Sequence, residues 1–217
     1  MQMSTRLLSL AIATVLAVPF SATAGRFDAS PAAQRALGLI NAAPGAVRHN
    51  AGDSFVAKDV IVDANGTEHV RFDRTFRGMP VIGGDVVVHS RNGIIKSTSM
   101  TLGTSARPGI NGRVSADQAI LAAGTEFGTG FNAVSNAKKV VFARNMSPRL
   151  AYEVVFSGIR ADQTPTEMHY FVDANSGQIL DRWDGIETGK PGSGGGGTTC
   201  TGTAAAGTGN TLYSGSV

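Results

Sequence analysis

The order of apolar and polar residues predicts a helix followed by antiparallel strands, and then the same arrangement again. The first helix begins at Ser30-Pro31, because serine caps free backbone N–H groups and proline suits the first helical turn. It runs through Ala32–Ile40 and ends by Asn41. Alternating apolar and polar residues then predict strands of a sheet with one solvated face. These strands are Phe55–Val62, the segment around Val70–Phe76, Val81–Ser90 and Ile94–Leu102.

Short segments rich in glycine and polar residues predict the turns of this first unit. Asp63-Ala64-Asn65-Gly66 and Arg91-Asn92-Gly93 contain Asn-Gly, which tolerates the positive φ angles of tight hairpins. Gly78-Met79-Pro80 is predicted to be the turn at the centre of a hairpin that runs from His69 to His89. Gly83-Gly84 lies between strands and indicates a bulge or a close approach of the backbone, rather than a phosphate loop.

A second unit follows a boundary predicted at Thr104–Gly112. Ser115 and Gln118 form a capping box at the start of its helix. Four apolar residues at helical spacing predict the buried face of that helix: Ala119, Ile120, Ala123 and Phe127. The strands that follow are Lys138–Ala143, Leu150–Ser157, Glu167–Asp173 and Gln178–Asp184. The expected fold class is therefore α+β, with two small units, each a helix packed on an antiparallel β-meander.

The two ends of the chain differ in composition from the part between them. Arg6 and the apolar run Leu7–Phe20 precede Ser21-Ala22-Thr23-Ala24, the pattern of a secretory signal peptide cleaved after Ala24. The run is shorter than the roughly 20 apolar residues that a bilayer-spanning helix needs, so no stable membrane anchor is expected. We therefore predict a signal peptide at 1–24 and a secreted protein, extracellular or periplasmic. From Gly189 the chain is rich in Gly, Ser and Thr, which predicts a disordered tail open to proteases.

Charge and cysteine content narrow the possible partners. Without Arg6, which leaves with the signal peptide, 18 Lys and Arg face 16 Asp and Glu. No run of basic residues interleaved with aromatic ones occurs, so nucleic acid is not an expected partner. Cys200 is the one cysteine, and it cannot form an internal disulfide. It is either a free thiol or the partner of a cysteine outside this sequence.

Two stretches of the chain resemble the parts of a known pro-region. The hairpin from His69 to His89 resembles the fungalysin/thermolysin propeptide motif. The segments Leu150–Phe156 and His169–Leu180 resemble the PepSY domain, which follows that motif in precursors of thermolysin-like, M4-family zinc metallopeptidases. Gly209–Val217 resembles the first strand of the mature peptidase in some members of that family.

The resemblance implies a division of the chain. It predicts a propeptide-like domain at 25–103, a PepSY-like domain at 113–187, a flexible cleavable linker at 188–208 and the start of a truncated peptidase domain at 209–217. Met79 and Arg74 depart from the motif, at places where a smaller apolar residue and a glutamine are expected.

The chain lacks the zinc-binding motif of such peptidases. Its four histidines are followed by Asn50, Val70, Ser90 and Tyr170, so His-Glu-x-x-His does not occur. No catalytic, cofactor-binding or metal-binding residue is predicted here, and zinc and calcium are expected only in the missing peptidase domain. A three-ligand metal site is a weaker alternative, because charged side chains on a solvated sheet face are usually just solvated. Its ligands would come from His69, His89, Asp73, Asp85 and Glu68.

Two further residues have two interpretations each. Arg71 either contacts the peptidase domain or forms an ion pair with Asp73 or Asp85, and we favour the ion pair. Trp183 either packs as core or anchors a contact with the peptidase domain.

The resemblance predicts the secretion signal and pro-region of a thermolysin-like zinc metalloendopeptidase precursor, not an enzyme by itself. Its expected partner is the cognate peptidase domain in cis, which it would help to fold and would inhibit. One alternative is a free-standing secreted inhibitor or binding module of PepSY type. Another is a fragment of a precursor whose full-length form is an active metallopeptidase.

Overall fold

The structure is a computed structural model that describes residues 27–186, except 129, 161 and 162, and the backbone of residues 210, 211, 215 and 216. The predicted signal peptide at 1–24 and linker at 188–208 lie outside the described residues, as does Cys200. None of the helices in the described part is long and apolar enough to span a membrane.

The elements follow the predicted order and give an α+β fold. The first unit contains α1 (Pro31–Ala42), a 3₁₀ turn (Pro44–Val47), β1 (Asp53–Val62), β2 (Glu68–Phe76), β3 (Met79–Ile82), β4 (Val86–Arg91) and β5 (Ile94–Met100). The second contains α2 (Ala116–Phe127), β6 (Phe131–Val134), β7 (Lys138–Phe142), β8 (Arg149–Ile159), β9 (Pro165–Asp173) and β10 (Ile179–Asp184). A separate antiparallel pair consists of β11 (Asn210–Thr211) and β12 (Gly215–Ser216).

Both helices begin where the sequence predicts. The hydroxyl of Ser30 accepts a hydrogen bond from the Ala33 N–H at 3.1 Å. At α2 the Ser115 hydroxyl accepts from the Gln118 N–H at 3.2 Å, and the Gln118 side chain accepts from the Ser115 N–H at 2.8 Å. The predicted capping box is therefore confirmed, and each cap satisfies donors that the first helical turn leaves free.

Two predictions for the first hairpin are wrong. Its turn is Arg77-Gly78, with φ of 47° and 80°, because two successive positive φ angles suit a two-residue hairpin. Met79 and Pro80 belong instead to β3. The predicted strand 81–90 is two strands, because the chain turns after β3, where the Gly84 N–H donates to the Val81 carbonyl at 3.0 Å. The exposed strand β6 was not predicted at all, since none of its residues is buried.

The strand β3 joins the two units into one ten-stranded sheet. In the first unit β2 pairs antiparallel with β1 on one edge and with β4 and β3 on the other, and β5 extends the sheet beyond β4. In the second unit β7, β8, β9 and β10 pair antiparallel in chain order, with β6 also beside β8. β3 pairs parallel with β7 through Val81–Val141 and Ile82–Phe142. The antiparallel pairing within each unit agrees with the predicted meanders, apart from the division of 81–90 and the additional strand β6, but the pairing of β3 with β7 was not predicted.

Both helices pack on the same face of this sheet. Residues opposite each other in neighbouring strands point to the same face. Phe76 on β2 is opposite Met79 on β3, and Met79 shares its face with Val81. Val81 is opposite Val141 on β7, which is in turn opposite Leu150 on β8. Phe76 lies on the same side of β2 as Val70 and Phe72, which pack beneath α1, and Leu150 lies beneath α2. One side of the sheet therefore carries both helices.

Small residues bring each helix close to the sheet. The buried residues of α1 are Ala32, Ala33, Ala36 and Ile40, and those of α2 are Ala119 and Ala123. A third cluster fills the same face at the β3–β7 junction; it consists of Phe76, Val81, Leu102, Val141 and Ala143. Apolar clusters therefore lie along this whole face of the sheet, and Met79 contacts both the junction cluster and the cluster beneath α2.

Gly83 and Gly93 offer a matched test of the junction. Both have positive φ, 78° and 71°, but a Cβ on Gly83 would lie 2.9 Å from the Arg144 Cα, whereas Gly93 faces open space. Gly93→Ala should cost about 1 kcal/mol of unfolding free energy, from the backbone conformation alone. Gly83→Ala should cost about 1–3 kcal/mol more, because the backbone after β7 must also move. Urea unfolding followed by circular dichroism measures both, and equal losses would contradict the close approach.

Candidate functional site

The side of the sheet opposite α1 and α2, called the helix-free face below, carries most residues that the sequence singles out. Strand alternation and pairing place on it His69, Arg71, Asp73, His89, Phe171 and Trp183. No helix in the described part of the chain packs against this face. It is therefore the side on which a further domain could lie against the strands.

The five residues of the possible metal site do not converge. His69 and His89 are opposite each other on β2 and β4, with their Nδ1 atoms 2.5 Å apart. The three carboxylates instead pair with separate cations: Glu68 with Arg35 of α1, Asp73 with Lys58, and Asp85 with Arg71. Within the described ranges no cluster of three or more metal-binding side chains occurs.

Arg71 forms the ion pair that we favoured, with Asp85 as its partner. Its guanidinium lies 2.6 Å from the carboxylate, and the two side chains are 54% and 41% exposed. Because water screens such a pair, it stabilises the fold by at most about 1 kcal/mol. The pair therefore positions Arg71 on the helix-free face but contributes little to the stability of the fold.

Two clefts adjoin the Arg71–Asp85 pair. One, of about 470 Å³, lies beside β3 and is lined by Val56, Asp73, Pro80 and Ile82 among others. The other, of about 370 Å³, lies towards β5 and is lined by Arg71, Val87 and Ser99 among others. Asp85 borders both clefts. Together they form an uneven surface that mixes apolar side chains with charged groups of both signs.

Trp183 packs as part of a core cluster on the second unit. Its ring stacks on Phe171 with centroids 4.3 Å apart, and the Arg144 guanidinium lies 4.9 Å from its centre. The buried residues of this cluster are Val140, Phe142, Ala151 and Phe171. The core interpretation of Trp183 is therefore supported, although the ring keeps part of its surface exposed.

Arg74 has a role that the sequence analysis missed. It lies on the buried side of β2, and its guanidinium is 3.0 Å from the carboxylate of Asp53, which is also 2.6 Å from Arg107. All three side chains are at most 1% exposed. Burial lowers the pKa of Arg74, the nearby Asp53 carboxylate raises it, and the lowering prevails.

Backbone carbonyls complete this buried ion cluster. Arg74 donates to the carbonyls of Val47 and Gly84 at 2.7 and 2.9 Å, and Arg107 donates to that of Thr104 at 3.0 Å. Two cations around one carboxylate leave one charge unneutralised, and these carbonyl oxygens solvate it. The cluster thereby ties the turn after α1, the β3–β4 turn and the linker between the units to one point.

Asp53→Asn should therefore destabilise the chain strongly. The change leaves two buried guanidinium groups without a counter-charge, which costs about 3–5 kcal/mol of unfolding free energy. The matched control is Asp73→Asn, which removes the exposed partner of Lys58 and should cost no more than about 1 kcal/mol. Denaturant unfolding measures both variants. Similar losses in the two would show that the Asp53 charge is not needed inside.

Two protein-family models match the part of the chain that forms this sheet. Residues 53–101 match the Fungalysin/Thermolysin Propeptide Motif. Residues 113–183 match the Peptidase propeptide and YPEB domain. These segments lie within the expected domains 25–103 and 113–187, whose bounds stay predictions.

Several curated proteins are similar to this chain. The transglutaminase-activating metalloprotease of Streptomyces mobaraensis is 35% identical over 145 residues, 64% of this chain and 19% of the relative. The hemagglutinin/proteinase of Vibrio cholerae serotype O1 is 31% identical over 70% of this chain and 26% of the relative. Thermolysin of Alicyclobacillus acidocaldarius is 30% identical over 61% of this chain and 26% of the relative. The chain thus spans about a fifth to a quarter of these relatives.

Among solved structures, the Bacillus megaterium YpeB C-terminal domain aligns with 70% of this chain and 63% of its own, at 16% identity. Its TM-score of 0.36 is too low to carry an inference.

The two matches in this order define a propeptide region. It is similar to the propeptide region of M4-like proteases, the class to which the thermolysin relatives point.

Proposed function

We propose that this chain is the secretion signal and pro-region of a secreted thermolysin-like zinc metalloendopeptidase, and that it assists folding of its own peptidase domain and inhibits it. The observation that carries the proposal is that both propeptide matches occur in one chain and fold into a single sheet. The metalloprotease relatives, four to five times longer than the matched segment, support a peptidase domain as the partner.

Both proposed roles follow from one binding reaction. A pro-region that binds the native peptidase, and not the unfolded one, shifts the folding equilibrium towards the native state by mass action. The same complex inhibits when the bound pro-region blocks the substrate cleft. The residues of this chain supply the contact, whereas zinc and calcium would be held by the peptidase domain. Cleavage within 188–208 would then separate the two parts.

The helix-free face of the first unit is our candidate for the peptidase contact. Both helices occupy the other face, and the two clefts on either side of Asp85 give the strands a surface with relief. Its mixed charges, Arg71 with Asp85 and Lys58 with Asp73, are suited to set the orientation of a partner.

A mixing experiment tests the proposed function. The purified chain should inhibit the mature peptidase of the Streptomyces mobaraensis relative and should raise the yield of active enzyme when that peptidase is refolded from denaturant. Peptide hydrolysis measures both effects. Thermally unfolded chain is the control for non-specific protection. Failure of both effects would contradict the pro-region function.

Arg71→Ala tests the position of the contact. If the helix-free face binds the peptidase, this change should weaken inhibition about tenfold, as truncation of an interface arginine often does. Arg35→Ala is the matched control, because Arg35 is equally exposed, at 53% against 54%, and also pairs with one carboxylate. Arg35 lies on α1, on the other side of the sheet, so its loss should change inhibition by less than about twofold. Equal effects of the two variants would place the contact elsewhere.

A further inference from the structure

Two histidines face each other across neighbouring strands of the first unit. His69 on β2 and His89 on β4 are directly opposite, their ring centroids are 4.8 Å apart, and the Nδ1 atoms are within hydrogen-bond distance at 2.5 Å. The rings lie on the helix-free face, away from the α1 core, and each is only partly exposed. Neither ring belongs to the buried ion cluster, and neither lines the two clefts, although Ser99, the partner of His89, borders the one towards β5.

The outer nitrogen of each ring also has a partner. His69 Nε2 lies 2.9 Å from the Asp63 carboxylate in the β1–β2 turn. His89 Nε2 lies 2.9 Å from the Ser99 hydroxyl on β5. Four side chains, Asp63, His69, His89 and Ser99, therefore form one hydrogen-bonded row across three adjacent strands and a turn.

The protonation state of the pair decides whether the row is intact. With both rings neutral, Ser99 donates to His89, His89 Nδ1–H donates to His69 Nδ1, and His69 Nε2–H donates to Asp63. One added proton is tolerated, because an imidazolium at His69 can donate Nδ1–H to a neutral His89, which then donates Nε2–H to Ser99. A second proton places N–H against N–H and two positive charges in contact. The cross-strand bond then cannot form.

We propose that His69 and His89 form an acid-sensitive clasp between β2 and β4, which opens when the second imidazole is protonated. Opening removes the contact between the rings and replaces it with repulsion across the strand pair. Because β4 connects through the β3–β4 turn to the clefts on the helix-free face, acid then loosens the strands that border them. If the pro-region function proposed above holds, mild acid weakens its hold on the peptidase.

The direction of the His89 pKa agrees with this behaviour. Burial lowers the pKa of His89, and the neighbouring His69 lowers it further. A histidine with a lowered pKa in the folded state binds fewer protons there than in the unfolded chain, so stability is lost as pH falls below about 6.5. The loss is complete once pH is below the folded pKa. The expected window is therefore mildly acidic.

The other charged groups do not account for acid sensitivity in the same pH range as the His69–His89 pair. The charged groups near the rings are Arg71 with Asp85, Asp59 on β1, Arg91 two residues after His89, and Lys96 at the β5 irregularity. Elsewhere, burial would raise the carboxyl pKa of Asp173 and Asp184, but backbone N–H groups and an arginine lower both on balance. Stability that depends on those carboxylates is lost only below about pH 4, outside the histidine window.

An NMR titration of the full chain, with chelator present, tests the clasp directly. Between about pH 8 and pH 4.5 the pair should titrate in two steps more than about one pH unit apart, the lower step belonging to His89. Amide exchange in β4 should accelerate with the lower step. His89→Gln should remove that step, whereas His49→Gln, which changes a histidine outside the row, should leave it. Independent titration of both rings at ordinary pKa values would overturn the proposal.

Thermal unfolding and inhibition provide two further readouts. Between about pH 7.5 and pH 5 the unfolding midpoint of the wild-type chain should fall about 3 °C more than that of His89→Gln. Equal falls would also overturn the clasp. Inhibition of the peptidase should weaken several-fold more for the wild type than for His89→Gln over the same range. Absence of inhibition at neutral pH would instead contradict the proposed function and leave the NMR result to decide on the clasp.

Discussion

One buried carboxylate, Asp53, determines how the rest of the structure is held. Burial of a charge is costly unless opposite charges and hydrogen bonds surround it, and here Arg74 and Arg107 do so. The same two arginines donate to backbone carbonyls of the turn after α1, of the β3–β4 turn and of the segment 102–112 between the two units. Since the β3–β4 turn directs β3 towards β7, the contact between the two units depends on an ion cluster that lies within the first.

The elements that could be predicted from the sequence are those determined by residues close together along the chain. The caps Ser30 and Ser115 act within one helical turn, so both helix starts could be inferred from a few residues. The ion cluster could not, because Asp53 and Arg107 are 54 residues apart and an arginine on the apolar side of a strand gives no hint of its partner. The pairing of β3 with β7 involves two residue pairs only, too few to leave a periodic pattern.

The candidate site was predictable to a similar degree. Opposite positions on a hairpin sufficed to bring His69 and His89 together, and the pro-region class followed from the motifs around them. The carboxylate that pairs with Arg71 was not predictable from the sequence. The choice between Asp73 and Asp85 depends on how far the side chains reach across the hairpin, whose turn was predicted at the wrong residues.

The parallel contact of β3 with β7 has a consequence for exchange of parts among related precursors. The two family matches end and begin on either side of the segment 102–112, which therefore looks like a natural crossover point for recombination. A chimera joined there would nevertheless place a β3 from one parent against a β7 from another, across a core that includes Val81 and Val141. Exchange of one half alone is therefore expected to disturb this core, because the boundary along the chain does not separate the two halves in space.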